Sequence, residues 1–253
     1  MKTASRTDIG NVRVVNEDRA LVVPELQGFT LAIVADGMGG HQAGDTASQL
    51  AVELIHQQLL DIGEDETRVS YEERLHEAIV AANSRIYEMA RTQEQFNGMG
   101  TTVVLALADK SGLLVAHIGD SRAYLYQDGQ LSQLTEDHSL VYELVRSGQL
   151  TKEEAEKHPR RNVLIRALGT DRTVDVDIRY YPWKPGDIAL LCSDGLSGMV
   201  SGPKIAELLA GGPRDLEKTA DALVELALAE GGDDNITVVL LENAPAEPAQ
   251  VGG

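Results

Sequence analysis

The stretch Leu31-Ala-Ile-Val-Ala-Asp-Gly37 consists of five apolar residues followed directly by an aspartate and a glycine. A short apolar run that ends in a turn signal is typical of a β-strand buried on both faces. The same ending recurs in Ala189-Leu-Leu-Cys-Ser-Asp194-Gly195 and in Ala116-His-Ile-Gly-Asp120. The pattern predicts a fold in which several buried strands each lead to a carboxylate.

Strand patterns and helical patterns occur in separate blocks along the chain. Most strand patterns adjoin a tight turn, and Asp128-Gly129 between two of them is a strong hairpin signal. Two long helical patterns follow one another directly after Asp36. This order predicts an α+β fold in which helices pack on antiparallel sheets. The predicted strands are 19–23, 31–35, 101–107, 113–118, 123–127, 130–134, 188–192 and 236–241, and the predicted helices are 43–60, 71–91, 140–146, 151–157, 203–210 and 214–230.

The composition is that of an ordinary soluble domain. Of the 253 residues, 43% are apolar and 25% are charged, which predicts a single domain over residues 1–243. The polar segment 138–166 interrupts the strand patterns, and we expect it to form a lid beside a functional site. The tail, residues 244–253, contains small residues, Pro and Gly, and is predicted to be disordered.

The charge and the cysteine count limit the partners and the location. A formal net charge of −18 argues against nucleic acid and anionic membranes as partners, because like charges repel. The single cysteine, Cys192, excludes an internal disulfide and suits a reducing compartment. The sequence contains no signal-peptide pattern and no apolar run of membrane-spanning length, so we expect a cytoplasmic protein. No apolar surface stripe demands a partner, and we expect a monomer.

Acidic residues gather at the ends of the predicted strands, around Glu17-Asp18, Asp36, Asp120, Asp194 and Asp233-Asp234. Each cluster alone is better explained as a turn or a cap than as a ligand group. If the strand ends converge, however, packed carboxylates repel one another and become protonated unless cations neutralise them. Ligands that are all oxygen suit Mg²⁺ or Mn²⁺, whereas the single cysteine and the scattered histidines give no zinc-binding spacing.

Seven short motifs follow one another between residues 13 and 237: Arg13 with Asn16-Glu-Asp18, Val34-Ala-Asp-Gly-Met-Gly-Gly-His41, Gly100-Thr-Thr102, Gly119-Asp-Ser-Arg122, Leu134-Thr-Glu-Asp-His-Ser139, Ser193-Asp-Gly195 and Asp234-Asn-Ile-Thr237. Taken in this order they resemble the metal-dependent serine/threonine protein phosphatases of the PPM class, also called the PP2C family. The resemblance covers nearly the whole chain, and the order of the motifs makes it specific. The form Asp-Gly-Met-Gly-Gly-His is similar to the bacterial branch of that family.

The resemblance implies a fold and a metal centre. The fold is a β-sandwich of two antiparallel sheets flanked by pairs of helices, in four layers α-β-β-α. The centre is a binuclear Mn²⁺ or Mg²⁺ site in which Asp36 bridges both ions and the Gly37 carbonyl binds one of them. Asp194 and Asp234 are implied to hold the other ion.

Further ligands and the reaction are also implied by the resemblance. Glu17 and Asp18 are expected to act mostly through metal-bound water, and Asp120 to help hold a third, weaker ion. The expected reaction is hydrolysis of phosphoserine and phosphothreonine on proteins by a metal-activated water, without a covalent enzyme intermediate. Arg13 matches the phosphate-binding arginine, whose guanidinium can grip two phosphate oxygens. Bacterial relatives often reverse Hanks-type serine/threonine kinases, so we expect such a kinase among the phosphorylated partners.

The proton donor to the leaving group stays unassigned. Many eukaryotic relatives carry a histidine directly after the Asp-Gly, but this chain carries Met38 there. His41, His138 and a metal-bound water are alternative donors, and both histidines are equally well explained as structural. Two other functions remain open: a phosphatase-like protein without turnover, which usually lacks the metal carboxylates present here, and a metallophosphatase acting on small phosphate esters.

Overall fold

The computed structural model describes residues 1–40, 42–63, 67–211 and 215–244. Within these ranges the chain contains strands β1 to β11 and helices α1 to α7. The strands are β1 Lys2–Asp8, β2 Asp18–Leu26, β3 Phe29–Met38, β4 Gly100–Thr101, β5 Val103–Ala108, β6 Gly112–Ile118, β7 Arg122–Gln127, β8 Gln130–Gln133, β9 Asp177–Pro182, β10 Ile188–Cys192 and β11 Ile236–Glu242. The helices are α1 Gln42–Leu59, α2 Arg68–Thr92, α3 Leu140–Arg146, α4 Lys152–Glu156, α5 Asp194–Ser197, α6 Gly202–Ala210 and α7 Leu216–Ala229.

The strands of the described ranges form two antiparallel sheets. One sheet has the order β1-β11-β10-β7-β8, and the other has the order β2-β3-β5-β6-β9, with β4 paired to the end of β3. Helices α1 and α2 pack on the second sheet, and α6 and α7 pack on the first. The predicted α+β sandwich with helices outside both sheets is therefore confirmed.

Three layers of apolar side chains hold the sandwich together. Buried residues of α1 and α2 meet the outer face of the second sheet, and those of α5, α6 and α7 meet the outer face of the first. The third layer lies between the sheets, where side chains such as Val34, Val104, Leu191 and Val239 interdigitate. Because β3, β5, β10 and β11 are covered on both faces, their sequences are continuous apolar runs. These runs fix the strands that carry the acidic residues.

Local signals in the sequence set several element boundaries. Asp128 and Gly129 both have positive φ, 51° and 80°, as a type I′ turn requires, and they join β7 to β8. Thr151 and Glu154 form a reciprocal capping box at the start of α4. Both α3 and β10 occupy the residues predicted from the sequence.

The structure differs from the sequence prediction at several strands. β9 is absent from the predicted strands, because its residues are only partly buried and the strand forms by pairing with β6. β1 was not predicted, because in Lys2–Asp8 only Ala4 is a buried apolar residue. This strand instead forms by pairing along the whole length of β11. Strand β3 was predicted to end at Ala35 but continues to Met38, because Gly37 and Met38 pair with Thr101 and Gly100 of β4.

Some predictions fall outside the described residues. His41, the first residue of the predicted helix 214–230 and all of the tail except Ala244 belong to this group. Among the described residues, no helix is both long and apolar enough to cross a membrane.

Candidate metal and phosphate site

Both sheets contribute acidic residues to one end of the sandwich. Asp18 is the first residue of β2 and lies opposite Asp36 of β3 in the strand register. Asp194 begins α5, two residues after the end of β10, and Asp234 lies two residues before β11. The charge of Asp194 acts on Asp36, so carboxylates in or near strands of different sheets lie close to one another. The sequence pattern predicted that Asp36 directly follows its strand. In the structure Asp36 lies inside that strand.

The electrostatics show that these carboxylates face one another. Burial, followed by the negative charges of Asp18, Asp194, Asp120 and Asp234, raises the pKa of Asp36 well above its ordinary value. Burial, reinforced by the charges of Asp194 and Asp234, likewise raises the pKa of Asp18 to about 7. Each carboxylate therefore resists ionisation because of its neighbours and its lack of water.

Asp120 and Asp194 belong to the same electrostatic cluster. The pKa of Asp120 is raised to about 7, mainly by burial and then by the charges of Asp194 and Asp137. Burial and then the charge of Asp234 raise the pKa of Asp194 to about 6, although the contact with Asp36 opposes the rise. The carboxylates of the cluster therefore repel one another when they ionise, and the cationic side chains nearby do not offset this repulsion fully.

The donor set fits hard divalent cations. Asp18 Oδ1 and Asp194 Oδ1 are buried and have no hydrogen-bond partner among the described residues. A buried carboxylate oxygen without a partner is costly, and a cation would satisfy it. The ligands available here are carboxylates, which are oxygen donors that Mg²⁺ and Mn²⁺ prefer. The residues present thus fit divalent cations of this kind.

Two glycines allow the chain to pass close to Glu17. A Cβ on Gly37 would lie 2.1 Å from the Gly44 carbonyl oxygen and 2.7 Å from that of Glu17. A Cβ on Gly44 would lie 2.6 Å from Glu17 Oε1. The start of α1 therefore packs directly against the strand that carries Asp36, and only glycine permits that approach.

Arg13 lies at the edge of the carboxylate cluster. Its Nη2 donates to Asp234 Oδ2 at 2.6 Å, and its side chain is 47% exposed. An exposed guanidinium with one side held by a carboxylate keeps donors free for an anionic ligand. The structure thus brings together the eight site residues predicted from the sequence: Arg13, Glu17, Asp18, Asp36, Gly37, Asp120, Asp194 and Asp234.

Asn235 is a positioning residue that sequence reasoning missed. Its buried side-chain Nδ2 donates to the carbonyl oxygens of Ile9, at 2.9 Å, and Val15, at 3.0 Å. Its Oδ1 accepts from the Glu17 amide at 2.8 Å. One amide side chain therefore closes the loop that carries Arg13 and fixes the start of the Glu17 segment. The motif Asp-Asn-Ile-Thr was visible in the sequence, but the partners are backbone atoms that no side-chain pattern reveals.

Hydroxyl groups fix two of the aspartates. Ser193 Oγ donates to Asp18 Oδ2 at 2.7 Å and accepts from the Thr237 amide at 3.0 Å. The Thr102 hydroxyl accepts from the Asp36 amide at 3.0 Å, and the Thr102 amide donates to the Asp36 carbonyl at 2.9 Å. These contacts give a structural role to the Gly-Thr-Thr and Ser-Asp-Gly motifs.

His117, His138 and Asp177 form a second group of potential ligands, whose nearest donor atoms lie within 4.8 Å of one another. His138 Nδ1 accepts from the Gly119 amide at 3.1 Å, so the neutral ring carries its proton on Nε2, which lies 3.4 Å from Asp177 Oδ2. A protonated nitrogen cannot ligate a cation, and Arg166 adds positive charge 3.4 Å away. The group instead anchors Gly119, the residue before Asp120.

The same contacts bear on the unassigned proton donor. His138 is buried, and both of its ring nitrogens lie at hydrogen-bonding or ion-pair distance from neighbours within the protein. Burial lowers the pKa of His138, which also opposes its protonated form. Among the described residues His138 is therefore structural, and Met38 offers no proton.

The two ends of the segment from His138 to Arg166 are hydrogen-bonded to each other. The Leu140 amide donates to the Val163 carbonyl at 2.8 Å, and the Ile165 amide donates to the His138 carbonyl at 2.9 Å. The His138 amide in turn donates to the Gly119 carbonyl at 2.9 Å. The segment is therefore hydrogen-bonded to the loop that carries Asp120.

Comparison with known proteins agrees with this geometry. A model of the family described as protein phosphatase 2C matches residues 12–230. The chain belongs to the protein phosphatase 2C family. It is therefore an enzyme of the metal-dependent phosphatase class, as the ordered motifs predicted.

Individual relatives of this phosphatase are similar over nearly its full length. The serine/threonine phosphatase stp of Listeria welshimeri is 44% identical over 242 residues, which cover 96% of each chain. The solved serine/threonine phosphatase of S. agalactiae is 36% identical, with a TM-score of 0.89 over 94% of this chain and 98% of that one. The catalytic domain of the phosphatase PstP, solved in complex with two manganese ions, is 38% identical with a TM-score of 0.80 over 95% and 97% of the two chains.

Proposed function

We propose that this phosphatase hydrolyses phosphoserine and phosphothreonine on proteins at the carboxylate cluster, with Mn²⁺ or Mg²⁺ as its cofactor. The observation that carries the proposal is the group of buried and half-buried aspartates from both sheets, whose charges raise one another's pKa. Such a group is stable in its ionised form only when cations neutralise it. The substrate class is supported by the stp phosphatase of Listeria, a serine/threonine phosphatase similar over nearly the whole chain.

The proposed ligands divide between two main sites. Asp36 would bridge both ions, with the Gly37 carbonyl on one of them and Asp194 and Asp234 on the other. Two cations held in this way would lower the pKa of a shared water and offset the charge on the phosphoryl oxygens. The hydroxyls of Ser193 and Thr102 keep the aspartates in place before cations arrive.

The remaining acidic residues have outer roles in the proposal. Glu17 and Asp18 would bind through water, and Asp120 would help to hold a third, weaker ion. The two hydrogen bonds between His138 and Gly119 position the loop that carries Asp120. The segment 138–166 is hydrogen-bonded to this loop and would act as a lid beside the site.

Arg13 would bind the phosphate group of the substrate. Its guanidinium donates to Asp234 and keeps further N–H groups at the exposed edge of the cluster. A phosphate that approaches from solvent would accept hydrogen bonds from this guanidinium and would lie beside the proposed cation site. Asn235 holds both ends of the loop that presents this arginine.

The chain offers no cysteine nucleophile for a covalent route. Cys192 is completely buried, and burial raises the pKa of its thiol to about 12. A thiol in this state is neither accessible nor ionised at neutral pH. Direct attack by water therefore fits the residues of this chain. A serine/threonine kinase as partner, the monomeric state and the cytoplasmic location stay predictions from the sequence.

The proposed substrate class is tested by comparing phosphothreonine and phosphoserine peptides with sugar phosphates in the presence of Mn²⁺. We expect the peptides to have the higher kcat/KM. A preference for sugar phosphates would favour a phosphatase of small esters. If no phosphate ester is hydrolysed although Mn²⁺ binds, the protein is a binding protein without turnover.

A further inference from the structure

Exposed apolar side chains are concentrated beside Arg13. The valine surface, defined here as Val12 and Val14 on either side of Arg13, is 64% and 83% exposed, respectively. With Ile9 and Val15, four of the nine exposed large apolar residues found in the described ranges lie within residues 9–15. A concentration of this kind beside a functional group indicates a binding surface, whereas single exposed residues need no explanation.

We infer that the valine surface binds apolar side chains next to the phosphorylated residue of a protein substrate, and thereby contributes to the choice of phosphorylation sites. The inference rests on the proposed function, because it takes Arg13 as the residue that grips the phosphate. It goes beyond that function by naming the sequence around the phosphorylated residue that the enzyme prefers.

The loop that carries the valine surface has a fixed shape. The Asn11 amide donates to the Gly232 carbonyl at 2.7 Å, and Asn11 Nδ2 donates to the Gly231 carbonyl at 2.9 Å. A Cβ on Gly10 would lie 2.2 Å from the Asp234 carbonyl oxygen, so the loop packs directly on the backbone of a proposed ligand. Together with Asn235, these contacts make the exposure of the valines a fixed feature of the surface.

The substrate itself is the partner that would cover this surface. A phosphate held by Arg13 is attached to a polypeptide whose neighbouring residues lie only about 3.5 Å further along the chain per residue. Those neighbours must cross the loop beside Arg13, where Val12 and Val14 project into solvent. An apolar neighbour would bury the exposed valines, whereas a small polar neighbour would leave them in contact with water.

The test uses the full chain with Mn²⁺ and two phosphothreonine peptides of equal length and charge. One peptide has leucine and the other has serine on both sides of the phosphothreonine. For the wild type we expect kcat/KM to be about five- to tenfold higher for the leucine peptide, because partial burial of a valine contributes about 1 kcal/mol. Hydrolysis of p-nitrophenyl phosphate, which has no flanking residues, serves as the reference reaction.

The double variant Val12→Ser/Val14→Ser should lose most of this preference, with kcat/KM for the leucine peptide falling relative to that for p-nitrophenyl phosphate. Val69→Ser is the matched control, because Val69 in α2 is 62% exposed and should keep the preference. The inference is overturned if the wild type hydrolyses both peptides equally well, or if the double variant keeps the full preference. It is also overturned if Val69→Ser removes the preference to the same extent. Failure of the wild type on every phosphopeptide would instead contradict the proposed function itself.

Discussion

Without bound cations, the free energy of unfolding of the protein should fall as the pH rises from about 4 to 7. Folded Asp18 and Asp120 each have a pKa of about 7, compared with an ordinary value of 3.8. Between these values the folded protein binds more protons than the unfolded chain, so its stability falls as the pH rises. The contribution is fully present below pH 3.8 and is lost as the pH rises through about 7.

The magnitude follows from the proton difference. Each such carboxyl lowers the free energy of unfolding by about 1.4 kcal/mol per pH unit well below its folded pKa and by less near it, so one group costs about 2 kcal/mol between pH 5 and pH 7. The assay is urea denaturation in EDTA at both pH values. Saturating Mn²⁺ should remove most of this loss, because the bound cation stabilises the ionised carboxylates.

Single variants assign the effect to the cluster. Asp18→Asn replaces a buried carboxyl with a neutral group of the same shape and should reduce the pH slope by up to about 1.4 kcal/mol per pH unit. It should therefore stabilise the cation-free protein at pH 7. Asp175→Asn is the control, because Asp175 is exposed. The reasoning is refuted if the cation-free wild type is equally stable at both pH values, or if both variants have the same slope.

Three further variants test the site. Gly37→Ala places a Cβ 2.1 Å from a backbone oxygen and should lower the free energy of unfolding by more than about 2 kcal/mol, measured by urea denaturation. Gly202→Ala is the control, because no atom lies within 4 Å of the added Cβ, and its free energy of unfolding should stay within about 0.5 kcal/mol of the wild type. Asn235→Ala should lower kcat/KM roughly 10- to 100-fold, and in combination with Arg13→Ala the losses should be far from additive, because Asn235 acts through the loop of Arg13. Additive losses would argue for separate roles. Asp120→Ala should lower kcat while calorimetry still detects two bound Mn²⁺ ions, and loss of both ions would contradict the outer role of Asp120.

The sequence predicted the strands that are buried on both faces, because such strands carry an unbroken apolar run. β10 occupies the predicted residues for that reason. β1 contains mostly polar residues, and its strand conformation depends on pairing with β11, which is distant in sequence. The extension of β3 to Met38 likewise depends on β4. Pairing between distant segments is a tertiary effect that local patterns do not encode.

The site likewise contains residues that the sequence predicts and residues whose roles depend on tertiary contacts. Asp36, Asp194 and Asp234 are predicted from their positions at the ends of apolar runs and from the ordered motifs. Asn235 and His138 also belong to these motifs, but their roles depend on hydrogen bonds to the backbone of Ile9, Val15, Glu17 and Gly119. A sequence names the side chain at one end of such a bond and leaves the backbone atom at the other end unspecified. The anchoring of the arginine loop was therefore visible only in the folded chain.

The most direct test of the metal-dependent mechanism is a titration of Mn²⁺ into cation-free protein, with phosphate release from a phosphothreonine peptide measured at every addition. For the wild type we predict no turnover before Mn²⁺ is added and a rise that saturates as the carboxylate cluster fills. Asp36→Asn should stay inactive throughout the titration, because it lacks the carboxylate proposed to bridge both ions. Full turnover in the presence of a chelator, or in the Asp36→Asn variant, would contradict the mechanism.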